Sequence, residues 1–545
     1  MSDQQESLNT PRCLTVAALV AAMGQSMASA VELPVAPPQA NQSLRVQQSD
    51  GPVELVVAPA DSLRRGPVPL QQSDPLDDQL SGFITQLGLN PAGPSPLPFP
   101  DVRSPLAQLG KKLFYSKSLG GQLDSACASC HHPVLGGADG LSFSIGVDAV
   151  NPDLLGPGRR NKERSIAVPR NAPTVFNLGM WDTGLFWDSR VESLGKEVGA
   201  NGSLSGIRTP ESPFGEADTA AGKNLASAQA AFPVTSVDEM KGETFSAGGD
   251  SEGIRAHLAA RIGNYGEGTG ELPENRWLQE FQLAFGISAP AEDLVTFDRI
   301  AEAIGEFERS MVFTNNNWSK YLAGNKSALT QEQKRGALLF FTPSQLGGAG
   351  CAACHNGPLF SDGLHHSVAF PQFGPGKGDG LADDFGRFRE SGDEEDVRYF
   401  RTPSLLNVAQ TAPYGHAGTF GSLDRVVRHY VNPEQSLAQY FSQHEWCRLP
   451  QFRQNPDCES LYPDSEANSL DALAHLKEEQ AAGESLLGEV RLNGQQIQEL
   501  VSFLVALTDP CVTDRRCLSP WIADDKQDNP DGQVLIGVDR RGNKL

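Results

Sequence analysis

Two pentapeptides gather the residue types with the most chemistry in this chain: Cys127-Ala-Ser-Cys130-His131 and Cys351-Ala-Ala-Cys354-His355. Two thiols in C-x-x-C spacing, followed at once by an imidazole, can hold a porphyrin covalently. Each thiol adds to a vinyl group, and the adjacent imidazole becomes the proximal ligand of the iron. Two other chemistries use C-x-x-C. Paired zinc knuckles normally lie within about 12–20 residues of each other, and these two motifs are far more distant in sequence than that. A thiol redox site belongs to a βαβ pattern, which neither motif has around it. The reading is therefore two covalently bound c-type haems, with His131 and His355 on the irons.

The elements that must position these motifs occur twice. Ser104-Pro105 is an N-cap followed by proline at the first helical position, and Leu106, Leu109 and Leu113 then share one face. That helix leads into the first motif. Thr330 to Gln333 has capping-box spacing and opens a helix running through Gly336-Ala-Leu-Leu-Phe340 toward the second, mirroring Gly110-Lys-Lys-Leu-Phe114. Downstream, Arg170-Asn171-Ala172-Pro173-Thr174-Val175-Phe176-Asn177 is echoed by Arg401-Thr402-Pro403-Ser404-Leu405-Leu406-Asn407. Helix, haem motif and echo in one order, twice, predict an internal duplication. Leu294, Phe297, Ile300, Ile304, Phe307 and Met311 at helical spacing close the first lobe, as Ile497, Leu500, Val501 and Leu504 close the second. No convincing alternating strands stand out. The expected fold is mainly α: two cytochrome-c-like haem lobes related by internal duplication, with long loops and with porphyrin filling much of each interior.

Composition sets the surroundings. The 545 residues carry a formal net charge of −23, which argues against nucleic acid and anionic membranes and suits either a basic partner or plain solubility. Arg12, the apolar run Leu14 to Met23, and Ala28-Ser29-Ala30 read as a secretory signal cleaved near Ala30. No stretch is long enough to span a bilayer as an anchor, and haem attachment to thiols outside the cytoplasm fits export, so the mature chain is expected to be periplasmic. Cys13 leaves with the signal and four cysteines hold haem. Cys447, Cys458, Cys511 and Cys517 remain as an even set for an oxidising compartment, paired most simply as Cys447–Cys458 and Cys511–Cys517, among three connectivities. The expected organisation is signal 1–30, a Pro/Gln-rich linker or extension 31–103, a first haem domain 104–312 with a Gly/Ser-rich insertion at about 191–227, a second haem domain 313–520, and a tail 521–545.

From about Ser104 to Pro510 the chain resembles the bacterial dihaem cytochrome c peroxidase family, within it the MauG type. The likeness rests on both haem motifs, Arg170-Asn-Ala-Pro-Thr-Val, Phe186-Trp187-Asp188, Pro233-Val-x4-Glu239-Met240 and Thr411-Ala-Pro-Tyr-Gly-His416-Ala-Gly. It implies that hydrogen peroxide reacts at the first haem. Many members hold an inhibitory histidine after Ser-Ile-Gly; here Ser144-Ile145-Gly146 is followed by Val147, which cannot ligate iron. The resemblance gives Glu239 the role of distal acid–base, Gln229 that of its hydrogen-bonding neighbour, and Trp187 that of an indole between the haems. Fourteen residues after His416, where ordinary members place methionine, this chain has Tyr430, as MauG-type proteins do. A phenolate is a hard anionic ligand that favours oxidised iron. A core tyrosine at 430, or His429 as the ligand, are the other readings there. The family's calcium implies Asn171, Thr411 and Pro413 as oxygen donors. His416 is expected to pack near the second haem, and His365 and His366 to serve the loop or contact propionates rather than bind metal.

Three functions follow from this. The first is a MauG-like peroxidase drawing electrons from a protein or small-molecule donor. The second is an ordinary cytochrome c peroxidase fed by a small cytochrome, and the third a non-enzymatic dihaem carrier or redox sensor.

Overall fold

A computed structural model describes residues 74–89, 98–162, 168–379 and 382–545. The signal segment and most of the extension, with Cys13, lie outside these.

The fold grows from two helix pairs. Ser104 caps the helix Pro105–Tyr115 by accepting from the Ala107 amide, and this helix crosses Phe297–Arg309, whose Phe297, Ile300, Ile304 and Phe307 are all buried. Thr330 caps Gln331–Phe341 in a reciprocal capping box with Gln333, and this helix crosses Gly494–Ala506, which buries Ile497, Leu500 and Leu504. Each such side chain contributes about 1.5–3 kcal/mol on leaving water. Both crossings are made at glycine. A Cβ on Gly110 would stand 1.8 Å from the Ala303 carbonyl oxygen, and one on Gly336 would stand 1.9 Å from that of Glu499. The expected single amphipathic stretch is interrupted once: Leu294 ends a separate short helix, Ala291–Leu294, and Val295 and Thr296 turn the chain before Phe297.

Parallel contacts recur beyond the helices. Asn177 and Asn407 both take left-handed backbone, at φ 63° and 62°. The Asn177 amide donates to the Met311 carbonyl (2.8 Å), and the Asn407 amide to that of Leu507 (3.0 Å). Their side-chain oxygens accept from the Phe313 amide (2.8 Å) and the Asp509 amide (2.9 Å). Strand is minor: Gly184–Leu185, Val191–Ser193 and Ile207–Arg208 form one antiparallel sheet, and His365–His366 pairs with Phe400–Arg401.

Three regions differ from what periodicity suggested. Within the expected linker, Pro75–Gln86 is helical, with Leu80 fully buried. It is clasped to the second helix pair by Lys334, which bridges Asp74 (3.0 Å) and Asp77 (2.8 Å). The insertion contributes two of the short strands and the start of the helix Leu225–Gln229. Asp182 pins it by accepting from the amides of Gly199 (2.6 Å) and Asn201 (2.8 Å). The expected tail runs back over the first helix pair. Asp531 accepts from the Trp277 indole (2.7 Å) and the Ser118 hydroxyl (2.7 Å), Asp528 pairs with the buried Lys111 at 2.9 Å, and Val534 and Leu535 are buried. These contacts come from aspartates in turns, which leave no apolar period to read. Both disulfides form as Cys447–Cys458 and Cys511–Cys517. Among the described residues, no helix is long and apolar enough to cross a membrane.

Candidate haem-binding and catalytic site

One large cavity runs between the two C-x-x-C-H motifs, and its wall includes Cys127, Cys130, His131, Cys351, Cys354 and His355. Each motif starts as a 3₁₀ turn, Cys127–Ser129 and Cys351–Ala353, which brings its cysteines to the wall while keeping the histidine at its end. The four thiols are free cysteines although they sit in close pairs. Burial raises the pKa of Cys127, Cys130 and Cys351, to about 12 for the last two. The histidines are oriented alike: Nδ1 of His131 faces the Gly137 carbonyl at 3.2 Å, and Nδ1 of His355 faces that of Phe360 at 2.9 Å. A donated Nδ1–H leaves Nε2 with a lone pair for a ligand. Burial lowers the pKa of both rings, to about 4 for His131, partly offset by the carbonyls they face. Unpaired thiols, buried imidazoles whose Nδ1 faces a carbonyl, and a largely apolar cavity fit covalent haem at both motifs.

At the first motif the wall also carries Gln229, Pro233, Glu239 and Met240. Glu239 sits in a π-type turn, Val237–Lys241, capped by Ser236; turns of this kind are frequent at functional sites. The loop after the first motif is held hard against that turn. A Cβ on Gly146 would lie 2.1 Å from the Glu239 carbonyl oxygen. Arg159 donates to the carbonyls of Ile145 (2.7 Å) and Gly146 (3.0 Å), and the Val147 amide reaches the Asp238 carbonyl (3.4 Å). Val147 is buried and is not among the cavity-lining residues. The insertion leaves both Gln229 and Glu239 on the wall.

At the second motif Tyr430, on the helix Leu423–Val431, lines the cavity. Burial and the nearby thiols of Cys354 and Cys351 push its pKa well above the usual tyrosine value. His429 is turned away: its Nε2 lies 2.8 Å from the Val368 carbonyl, its ring packs on Phe370 and Phe420, and it is absent from the cavity wall. His416 stacks on Phe400 at 3.9 Å between ring centroids. His365 Nε2 lies 2.9 Å from the Ser189 hydroxyl, and His366 is paired with Asp362 at 2.8 Å.

Trp187 also lines this cavity, and its indole donates to the Asn171 carbonyl at 2.9 Å. Asn171, Thr411 and Pro413 all line the same cavity, with the Asn171 amide nitrogen donating to the Leu141 carbonyl at 2.7 Å and its side-chain oxygen left for another partner. Sequence reasoning did not single out Trp181, Glu308 or Lys377, and marked Arg401 only as the start of the internal echo; all four share this wall. Glu308 stands out only as an acid within a buried helical face, and Lys377 gives no local signal.

Comparison with known proteins agrees with this arrangement. A sequence profile described as di-haem cytochrome c peroxidase matches residues 104–327. Cytochrome c551 peroxidase of Nitrosomonas europaea is 29% identical over 59% of this chain and 71% of its own length. Methylamine utilization protein MauG of Methylorubrum extorquens is 28% identical over 59% of this chain and 67% of its own. A solved MauG-like protein associated with microbial copper homeostasis is 23% identical over 78% of this chain and 97% of that one, with a TM-score of 0.49. Both haem motifs thus stand on one cavity wall, and residues 104–327, which carry the first of them, are similar to the di-haem cytochrome c peroxidases.

Proposed function

We propose that this chain is a MauG-like peroxidase in which peroxide reacts at the first motif and a protein or small-molecule donor supplies electrons through the second. Bound at the two motifs, the haems supply the iron redox chemistry with peroxide. His131 and His355 would hold the two irons through Nε2. Glu239, beside Gln229 at the first motif, takes the proton from the incoming peroxide and returns it to the departing oxygen, a role typically worth about 10²–10⁴-fold in rate. The pinned loop carries Val147 where an inhibitory histidine would stand, so no side chain from that position blocks the peroxide side.

The observation that carries the reading is Tyr430 on the cavity wall beside Cys351 and Cys354, with His429 turned into the core. A phenol oxygen as the second ligand favours oxidised iron over easy reduction. Trp187 then serves as the relay between the two centres. Asn171, Thr411 and Pro413 are the candidate calcium ligands, all oxygen donors. The disulfides suit a periplasmic location.

The test is electron paramagnetic resonance of the resting diferric protein, followed by peroxide titration of wild type and Tyr430→Phe. One high-spin iron and peroxide consumption without prior reduction are expected, with the other iron's signal altered in Tyr430→Phe. Activity only after one-electron reduction, or an unaltered signal in the variant, rejects the reading.

A further inference from the structure

Two indoles, not one, stand on the cavity wall: Trp181 and Trp187, on either side of the strand Gly184–Leu185. They differ in what covers the ring face. The Arg401 guanidinium lies over the Trp181 ring, with Cζ 3.9 Å from the centroid. It is held there at both ends. Its Nε donates to the Phe186 carbonyl at 2.8 Å, and its backbone amide donates to the Trp187 carbonyl at 2.7 Å. Arg401 is buried, and among the described residues no carboxylate lies at ion-pair distance from it; Asp188, which acts on it from further off, is itself paired with Arg170. The neighbouring Phe186 ring is likewise covered, by Arg190 at 3.6 Å. Among the described residues no lysine or arginine stacks on Trp187, whose indole N–H meets a carbonyl instead.

These settings have opposite effects on electron loss. An indole that gives up an electron becomes positive. A fixed guanidinium on its face favours the neutral, electron-rich ring, and in a water-poor interior that preference is poorly screened. A carbonyl accepting the indole N–H acts the other way, because the bond strengthens as the donor gains positive charge.

We propose that Arg401 selects the relay: it keeps Trp181 reduced and confines the electron vacancy to Trp187. The proposal rests on the reading of Trp187 given above. The electron count is simple. One hydrogen peroxide takes two electrons and two protons to give two waters. Each electron that passes the relay leaves the Trp187 ring, and one from the donor replaces it, so the indole is unchanged over a turnover. Trp181 contributes none while the cation covers it. Without the cation, Trp181 competes as an electron source; when no donor is present, an indole that has lost two electrons to one peroxide takes a hydroxyl from water in place of a ring hydrogen and releases two protons, which leave with the electrons in the two waters formed from that peroxide.

The experiment treats the full dihaem protein with excess peroxide and no donor, then maps oxygen uptake by peptide mass spectrometry. Arg401→Gln removes the charge but keeps an amide donor for the Phe186 carbonyl; it should raise oxygen uptake at Trp181 several-fold, with a new indole radical signal that Trp181→Phe abolishes in the same background. Arg401→Lys should behave as wild type. In wild type itself, uptake at Trp187 should exceed that at Trp181, a comparison that holds even where Arg401→Gln fails to fold. Unmodified Trp181 in a folded Arg401→Gln protein, or wild-type uptake at Trp181 matching that at Trp187, overturns the proposal. Trp187→Phe reports on the relay separately: unchanged electron delivery there removes the parent reading, whatever Trp181 shows.

Discussion

Glu308 lies on the cavity wall at 3% exposure, and its Oε2 has no hydrogen-bond partner. With no cation to offset it, burial raises its pKa from 4.5 to about 8. The consequence for stability has a definite sign. Below pH 4.5 the group is protonated in both folded and unfolded chains. Between 4.5 and about 8 only the unfolded chain ionises, so folding loses about 1.4 kcal/mol per pH unit over that window. Glu308→Gln should flatten that slope, leaving the variant more stable than wild type at pH 8, as urea denaturation of the holoprotein would measure. Equal slopes would mean the carboxyl ionises in place. Glu239 occupies the same wall with a different duty. Glu239→Gln keeps the shape but cannot hold a proton in transit, so the rate of peroxide consumption should fall by about 10²–10⁴-fold with the haem spectrum retained; a fall under threefold would remove Glu239 from the chemistry.

At the scale of elements, the two helix crossings were legible because they obey periodicity. Leu109 and Leu113 are buried in one cluster with Ile300 and Ile304, and the capping residues Ser104 and Thr330 mark where each haem-bearing stretch begins. Gly110 and Gly336 were visible as a repeated position, while the reason for glycine there is a tertiary fact: the partner helix's backbone takes the space of a Cβ. Gly110→Ala and Gly336→Ala should therefore each cost roughly 1–3 kcal/mol or more by forcing a helix pair apart, lowering the melting temperature and the yield of haem-loaded protein. A neutral effect at either site would show that the crossing can relax. What the sequence concealed was made by turns. The helix Pro75–Gln86, the returning segment after Trp521, and the stacking of Arg401 on Trp181 depend on side chains distant in sequence, held by aspartates and carbonyls with no repeat to betray them.

Across the whole molecule, buried charge joins the two haem-bearing stretches. Arg170 donates to Asp188 at 2.5 Å and, through two nitrogens, to Asp384 at 2.6 and 2.7 Å. Burial works against both carboxylates, but Arg170 outweighs it, and both are held below the usual aspartate range. A depressed carboxylate gives stability that is full above the unfolded value of 3.8 and is lost as pH falls through that value toward the folded one. His365 acts in a higher window. Burial, then Arg387 and Arg401, lower it from 6.5 to about 3, so its contribution declines as pH falls below 6.5. That decline is shared by any variant that leaves His365 alone. Asp384→Asn, compared with wild type, should therefore isolate the carboxylate. At pH 7 the variant should be less stable by about 3–5 kcal/mol, because a buried guanidinium loses a partner, and the difference should narrow only below pH 4. No gap at pH 7 would show that Asp188 alone satisfies Arg170 and that the stretches are joined mainly by apolar packing; a gap that stays constant down to pH 3 would show that the Asp384 carboxyl is not held below its usual range.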